Sequence, residues 1–348
     1  RFYYDARRTS WVAIDYCGTG SMNHDTQLLG ISNAIVDVLA HVDHDFLATI
    51  GAEPGSMTLI DKERAKEVYN MMGPATEMSG GSVANTVAGF ANLGGSAAYI
   101  GKVRNDQLGR IFNHDMKSLG VDIRLPRAEN GAPTARSHVL ITDDGQRTMQ
   151  TYLGACLELG LADITPGTVG APDAILIEGY VWDIAEGPDL ARRAVEIARG
   201  NGTAVALSLS DSFCVERHRD SFEEFVRDGA DIVVADEDEI NALVGTDDFD
   251  DSLRALDDYH NLFAMTRGAR GSVVVSGAEK VVEPAAGVTD VIDTTGAGDA
   301  WCAGFLFGWV NQRSLADCAR YGTHCATRVI QQVGARIEPG LLDDFETA

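Results

Sequence analysis

Residues 293–305 read DTTGAGDAWCAGF. Gly296-Ala297-Gly298 is small enough for a phosphate to reach the backbone, and residues 300–309 are apolar nearly all round. That pattern fits the start of a buried helix, whose first N–H groups and positive dipole end hold an anion. Asp299, directly behind the turn, would repel a bound phosphate. It has a use there if it accepts a hydroxyl proton while the turn takes the charge of a transferring phosphoryl group. The plainer role is an acid that offsets the helix dipole. Asp293 and the adjacent threonines, Thr294 and Thr295, add polarity that a plain loop does not need.

A second glycine turn, Ser79-Gly80-Gly81-Ser82-Val83-Ala84-Asn85, feeds a run of very small residues at 83–93. It could bind a polyhydroxyl ligand through backbone and side chains, or serve only as a tight turn and cap. In Thr266-Arg267-Gly268-Ala269-Arg270-Gly271 the glycines would admit a nucleotide ribose. Asp236-Glu237-Asp238-Glu239 reads as an acidic helix start, with a role toward Mg²⁺ as the alternative. Other motifs fail. Ser96 stands where a Walker A glycine would precede Gly101-Lys102, and no G-x-G-x-x-G follows the first strand. In the stretch 41–45, HVDHD, an extended chain would put His41 and Asp43 on one face and His44 on the other, so a solvated loop fits better than a metal site.

These turns need a frame. A first strand is expected over 27–35, a helix over 61–73, a strand over 97–101 and a helix over 106–119. Two β-rich segments in 132–152, joined by Asp143-Asp144-Gly145, spell a hairpin. Beyond it, strands near 173–178, 203–209, 230–235, 262–266 and 272–276 alternate with helical stretches near 187–200, 216–228, 237–244 and 250–258. That alternation predicts a mostly parallel sheet covered by helices on both faces. Helices are expected over 299–312, 315–333 and 339–346. Segments 38–59 and 128–152 are expected to form a small β lid over the carboxyl edge of the sheet, leaving 24–37, 60–127 and 153–348 as the core. Residues 1–23 are read as an extension, disordered or belonging to an upstream start before Met22.

Composition narrows the class. With 52 acidic against 28 basic residues the net charge is −24, which disfavours nucleic acid and anionic membrane as partners. No apolar stretch approaches the roughly 18 residues of a membrane span. Six cysteines without a C-x-x-C pair fit reduced, buried thiols in a cytoplasmic protein.

Taken together, residues 293–305 resemble the C-terminal signature of the ribokinase-type (PfkB) carbohydrate kinases, and residues 79–109 the N-terminal one. The resemblance spans about residues 27–340. The stretches 30–37, 57–61 and 151–155 are most similar to its adenosine kinase-like branch. A ribokinase-like α/β fold with a β lid is then implied. The resemblance makes Asp299 the catalytic base and the amides of Gly296, Ala297 and Gly298 the anion hole. It makes Asn33, Asp37, Gly80, Gly81 and Asn85 the acceptor contacts, and Thr266, Gly268, Gly271 and Glu239 the ATP side. Asp293 and Thr295 fall at a monovalent (K⁺) cation site, and Asp236 and Glu239 where Mg²⁺ is held through water. Asp236 replaces the family's usual Asn.

The implied reaction is transfer of the γ-phosphoryl of ATP to the 5′-hydroxyl of adenosine, giving AMP. A kinase for free ribose or fructose, and a nucleoside-binding protein with weak catalysis, are the alternatives. The resemblance fits a monomer or a homodimer. Phe46, Tyr152, Tyr180 and Trp182 are candidates to stack on a base, with a plain core role the stronger reading of each alone, and Arg136 is a candidate to meet a phosphate, with a surface ion pair the stronger reading.

Overall fold

The short apolar runs AILIE, AVALS, IVVAD and LFAMT become the strands Ala174–Glu178, Ala204–Ser208, Ile232–Asp236 and Leu262–Thr266. Each is bounded by a turn and too short for a helix, and the first three strand residues of Ala174–Glu178 and Ile232–Asp236 are buried. In the computed structural model, which describes residues 2–5, 10–13, 26–288 and 290–342, these strands lie parallel, side by side. Leu28–Ile31, Ala97–Ile100 and Asp122–Ile123 continue the parallel array beyond Ala174–Glu178. At the other end Ser272–Ser276 and Glu279–Glu283 add antiparallel, completing a nine-stranded sheet. One apolar cluster fills each face of this sheet. One gathers Leu29, Ile175, Leu207 and Phe222, and the other gathers Leu28, Tyr99, Leu176 and Phe305.

A second sheet of five strands stands beside the first, in the order Met57–Leu59, Arg147–Tyr152, Ala135–Ile141, Ile35–His41 and Thr76–Gly80. The hairpin expected around 143–145 is present, with Arg147 opposite Ile141. This sheet draws on more of the chain than the two segments read as a lid. Thr76–Gly80 joins it, pairing antiparallel with Ile35–His41.

Several expectations change. The single strand over 27–35 breaks at Ser32–Ala34, so that Leu28–Ile31 enters the large sheet and Ile35–His41 the small one. Glu279–Glu283 is an edge strand whose alternating charges concealed it. Residues 41–45, read as a solvated loop, lead into a short helix: Asp43 caps His44–Thr49 by accepting from the Phe46 N–H at 2.7 Å. In the region read as an N-terminal extension, Phe2–Asp5 and Ser10–Ala13 form a two-stranded antiparallel ribbon, while the rest of residues 1–25 lies outside the described residues. The helix expected over 339–346 is a turn through Leu342, and its remainder also lies outside them.

Two helices carry the glycine turns. Ser82–Asn92 is built of small residues, and those from Val83 to Phe90 are all buried. Ala297–Val310 is buried along most of its length, and it packs on the helix Leu315–Val329 with Gly304 facing the Tyr321 carbonyl. A Cβ at Gly304 would lie 2.6 Å from that oxygen, so this close crossing requires glycine. The buried helix read behind residues 293–299 is therefore present, beginning two residues earlier than expected.

Candidate active site

Asp299 lies in the first turn of the helix Ala297–Val310, and the structure brings it against the second glycine turn, more than 200 residues away in sequence. Ser82 Oγ donates to Asp299 Oδ1 at 2.7 Å and Asn85 Nδ2 to Oδ2 at 2.9 Å. Thr86 Oγ1 donates to the Asp299 carbonyl at 3.2 Å. Burial raises the Asp299 pKa above the ordinary carboxylate value, while the Ser82 and Asn85 hydrogen bonds and the nearby Arg336 charge oppose the shift. The carboxylate is thus oriented by two neutral donors, with no cation bonded to it among the described residues, and can take a proton from a hydroxyl placed beside it.

Gly296 precedes this helix in the left-handed region, at φ 74°, with Ala335 so close that a Cβ would lie 2.3 Å from that of Ala335. The Ala297 N–H returns to the Thr294 carbonyl at 3.2 Å, whereas the amides of Gly298 and Asp299 have no hydrogen-bond partner among the described residues. Nothing lies within 4 Å of the place a Gly298 Cβ would take. The Gly296 N–H likewise has no hydrogen-bond partner among the described residues, so the open amides of the turn are those of Gly296, Gly298 and Asp299, with Asp299 in place of the Ala297 that the resemblance named.

Across the cleft, Asp37 projects from the small sheet directly over Gly80, where an added Cβ would stand 2.2 Å from Asp37 Oδ2. Gly81 has φ 94° and abuts the Asn33 carbonyl. Burial pushes the Asp37 pKa up to about 6, opposed by Arg336 and Arg147 and reinforced by Asp299. Asn33 is buried and its Oδ1 has no hydrogen-bond partner, the condition of a group waiting for a ligand hydroxyl. Asp37, Gly80, Gly81 and Asn33 come together as expected, while Asn85 is engaged by Asp299.

Sequence reasoning missed three residues. Glu178, 1% exposed at the end of the strand Ala174–Glu178, accepts from the Asn33 N–H at 2.9 Å and the Val83 N–H at 3.2 Å. It ties both acceptor-side turns together and satisfies the helix start at Ser82, and its burial pushes its pKa up to about 7. Its signal was faint: a lone carboxylate ending a run otherwise buried. Arg336 donates to the Ser79 carbonyl (2.6 Å), Ser79 Oγ (2.9 Å) and the Ala84 carbonyl (3.0 Å), beneath Asp37 and Asp299. Arg147 ion-pairs with Asp293.

On the nucleotide side Thr266 ends its strand, and the turn Gly268–Arg270 follows. Gly268, at φ 55°, faces open space, but a Cβ on Gly271 would lie 2.1 Å from the Glu283 carbonyl, so Gly271 serves packing. Asp236 caps the helix Glu237–Val244, accepting from the Glu239 N–H at 2.8 Å, and Glu239 returns the bond to the Asp236 N–H at 2.9 Å. Asp and Asn cap equally well, which explains why Asp is tolerated there. Burial and Asp236 push the Glu239 pKa up to about 8, with Asp211 and Asp299 adding to it. A divalent cation bridging through water would relieve this crowding of negative charge, so the residues fit such an ion without providing a ligand cage. Asp293 accepts from the Thr295 N–H at 3.0 Å and the Gly334 N–H at 2.8 Å as well as from Arg147.

Of the proposed stacking residues, Trp182 is buried on Phe222 at 4.6 Å between ring centroids, and Phe46 packs beneath the small sheet. Tyr152 lies on the sheet face away from Asp37, and Tyr180 remains at the strand edge, where Asp211, Glu178 and Glu239 and its own burial raise its pKa. Arg136 lies over the Tyr69 ring, at 5.9 Å.

An open α/β sheet with ligand groups gathered at its carboxyl edge, and a carboxylate beside an amide-lined helix start, defines a phosphotransferase acting on a hydroxyl. The chain matches the pfkB family carbohydrate kinases over residues 48–340, and it belongs to that family, whose ribokinase-like fold it has. The adenosine kinase of Sinorhizobium meliloti superposes with a TM-score of 0.85 at 46% identity, covering 93% of this chain and 99% of that one. A probable sugar kinase from Rhizobium etli CFN 42 does so with a TM-score of 0.85 at 42% identity, covering 93% and 98%. The ATP-dependent ribose-1-phosphate kinase of Halopiger xanaduensis is 28% identical over 273 residues, covering 76% of this chain and 84% of the relative.

Proposed function

We propose that this kinase transfers the γ-phosphoryl of Mg²⁺-bound ATP to the 5′-hydroxyl of adenosine, giving AMP. The observation that carries the acceptor is the composition of the sheet face around Asp37. Through the strand register, Asp37 shares its face with Leu39, Val139, Met149, Met57, Leu59 and Met78. Met57 and Leu59 are 46% and 52% exposed, an apolar surface at the far end of the row Asp37–Ser137–Thr151–Leu59 that starts from the carboxylate read as ribose-binding. A free sugar offers nothing to cover it, whereas a purine does. Covering about 100 Å² of such surface is worth about 2.5 kcal/mol.

In this reading Asp37 and the unpartnered Asn33 Oδ1 accept ribose hydroxyl protons. Asp299 removes the proton of the attacking hydroxyl, while the Gly298 and Asp299 amides receive the charge of the transferring group. Glu178 and Arg336 hold the two acceptor turns at fixed spacing. Thr266 and Gly268 would face the nucleotide, and Glu239 and Asp236 would hold a magnesium ion through water, which would supply charge neutralisation at the phosphates. The small sheet would close over the cleft and exclude water, which otherwise competes as acceptor. Among the described residues no helix is long and apolar enough to cross a membrane, and the five described cysteines are free and buried, which suits a cytoplasmic enzyme.

The test is ADP release from ATP and Mg²⁺ with a panel of nucleosides and free sugars. Turnover is expected on adenosine, with kcat/KM at least tenfold above that for ribose. Turnover on ribose or fructose alone would move the acceptor to a sugar, and tight adenosine binding with no turnover would make the chain a nucleoside-binding protein.

A further inference from the structure

Outside the residues assigned to the reaction, the turn Gly179–Asp183 and the helix Ser212–Asp228 bring three ligand-type side chains together. A carboxylate oxygen of Asp183, the sulfur of Cys214 and a ring nitrogen of His218 lie within 4.8 Å of one another. Cys214 and His218 are four residues apart, the spacing that puts two side chains on one helix face. The chain leaves helical geometry at His218, φ −124° and ψ 20°, and His218 Nε2 lies 2.8 Å from Asp183 Oδ1. Aromatic rings back the cluster: Trp182, next to Asp183, stacks on Phe222, and the His218 ring meets Phe222 edge-on at 6.5 Å between centroids. The Asp183 and His218 side chains are 19% and 28% exposed, which gives solvent an entry. Cys214 is buried, and its thiol donates to the Gly179 carbonyl at 3.6 Å. The kinase reading uses none of the three.

We propose that Asp183, Cys214 and His218 form a site for a zinc-type divalent cation, which clips the turn Gly179–Asp183 to the helix Ser212–Asp228. Thiolate, imidazole and carboxylate together suit zinc, whereas magnesium takes oxygen ligands alone. Water completes the tetrahedral shell. On binding, the Cys214 S–H bond gives way to a metal–sulfur bond and its proton leaves to solvent, while His218 binds as the neutral ring. Burial, and behind it the Asp183 charge, pushes the Cys214 thiol up to about 12. A dication offsets that cost by neutralising thiolate and carboxylate together. Arg217 is the competitor. Its Nη2 donates to both Asp183 oxygens, at 2.8 and 3.2 Å, and its side chain is 50% exposed, so it can withdraw into water. Guanidinium and metal compete for one carboxylate, and the arginine sets how readily the site fills.

The experiment titrates cobalt(II) into the full chain, first stripped of metal, with neither ATP nor acceptor present. Wild type is expected to take up about one equivalent, with the visible bands of a tetrahedral ion and the near-ultraviolet band of thiolate-to-cobalt charge transfer. Zinc should bleach both bands and raise Tm, because it binds the folded chain alone. Cys214→Ser should lose the charge-transfer band. His218→Gln and Asp183→Asn should weaken binding by at least about tenfold, since even groups that only orient ligands contribute that much. Arg217→Gln should tighten it by about two- to fivefold, the worth of a partly exposed ion pair. Circular dichroism checks that each variant is folded. The absence of a charge-transfer band in wild type overturns the proposal, even if Arg217→Gln shows one. A band that survives in folded Cys214→Ser overturns it as well. Should Cys214→Ser not fold, His218→Gln decides, and unchanged affinity there is equally fatal. Unchanged affinity in Arg217→Gln overturns the competition at Asp183.

Discussion

The acceptor side and the nucleotide side of this cleft are built to different densities. On the acceptor side the carboxylates are already engaged or enclosed. Asp299 holds Ser82 and Asn85, Glu178 holds Asn33 and Val83, and Asp37 rests on Gly80 with no room for a methyl group. On the nucleotide side Gly268 and Gly298 face open space. The difference separates two tasks. Selecting a hydroxyl and lowering its barrier require fixed carboxylates, while a polyphosphate needs mainly free amides and space, and brings its own charge and metal.

The contrast can be broken first at Asp299. Asp299→Asn should lower kcat by about 10²–10⁴-fold, the usual contribution of a general base, with acceptor Kd within about threefold of wild type. Isothermal titration beside steady-state kinetics reads both.

Gly80→Ala tests the crowded side next. Its Cβ must displace the Asp37 carboxylate, and overpacking of this kind costs about 1–3 kcal/mol. Acceptor kcat/KM should fall by roughly tenfold or more, with ATP KM unchanged. Unchanged acceptor kinetics would mean that Asp37 does not bind the acceptor.

The pH dependence of acceptor binding is a smaller effect with a definite sign. Asp37, pushed up to about 6, is ionised above that pH and accepts ribose hydroxyl protons there. As pH falls through about 6 it gains a proton, and acceptor KM should rise toward tenfold per unit while ATP KM stays level. In Asp37→Asn that acid limb should vanish.

Gly268→Ala is the mildest change. Nothing in the protein opposes the new methyl group, and the cost is that of φ 55° for a residue with a Cβ, about 1 kcal/mol. A small drop in Tm and a few-fold rise in ATP KM are expected, with acceptor KM unchanged. A large acceptor effect would show that the two sides are not independent.

How legible this site was follows from the same contrast. The glycine turns and Asp299 could be read from sequence because each is a local pattern whose residue types already state the backbone geometry. The parallel sheet could be read because its strands are buried on both faces and therefore continuously apolar. Glu178, Arg336 and Arg147 were hidden because their meaning lies in partners 95 to 257 positions away. Arg147 had an alternating neighbourhood, but only strand register shows that its face is that of Asp37. The break at Ser32–Ala34 was missed because hydrophobic pattern does not record that a strand changes sheets. For Trp182 sequence left a stacking surface and a core ring both open, because size and position near a strand end do not distinguish them, and the structure makes it a core ring packed on Phe222.

The central claim is that a phosphoryl group leaves ATP for the 5′-hydroxyl of adenosine under the action of Asp299. Phosphorus NMR of a mixture of protein, ATP, Mg²⁺ and adenosine follows every phosphorus atom at once. The expected result is a 5′-phosphomonoester signal growing as the ATP γ signal falls, and almost no change when Asp299→Asn replaces the wild type. A γ signal that persists, or that passes only into inorganic phosphate, would contradict the account.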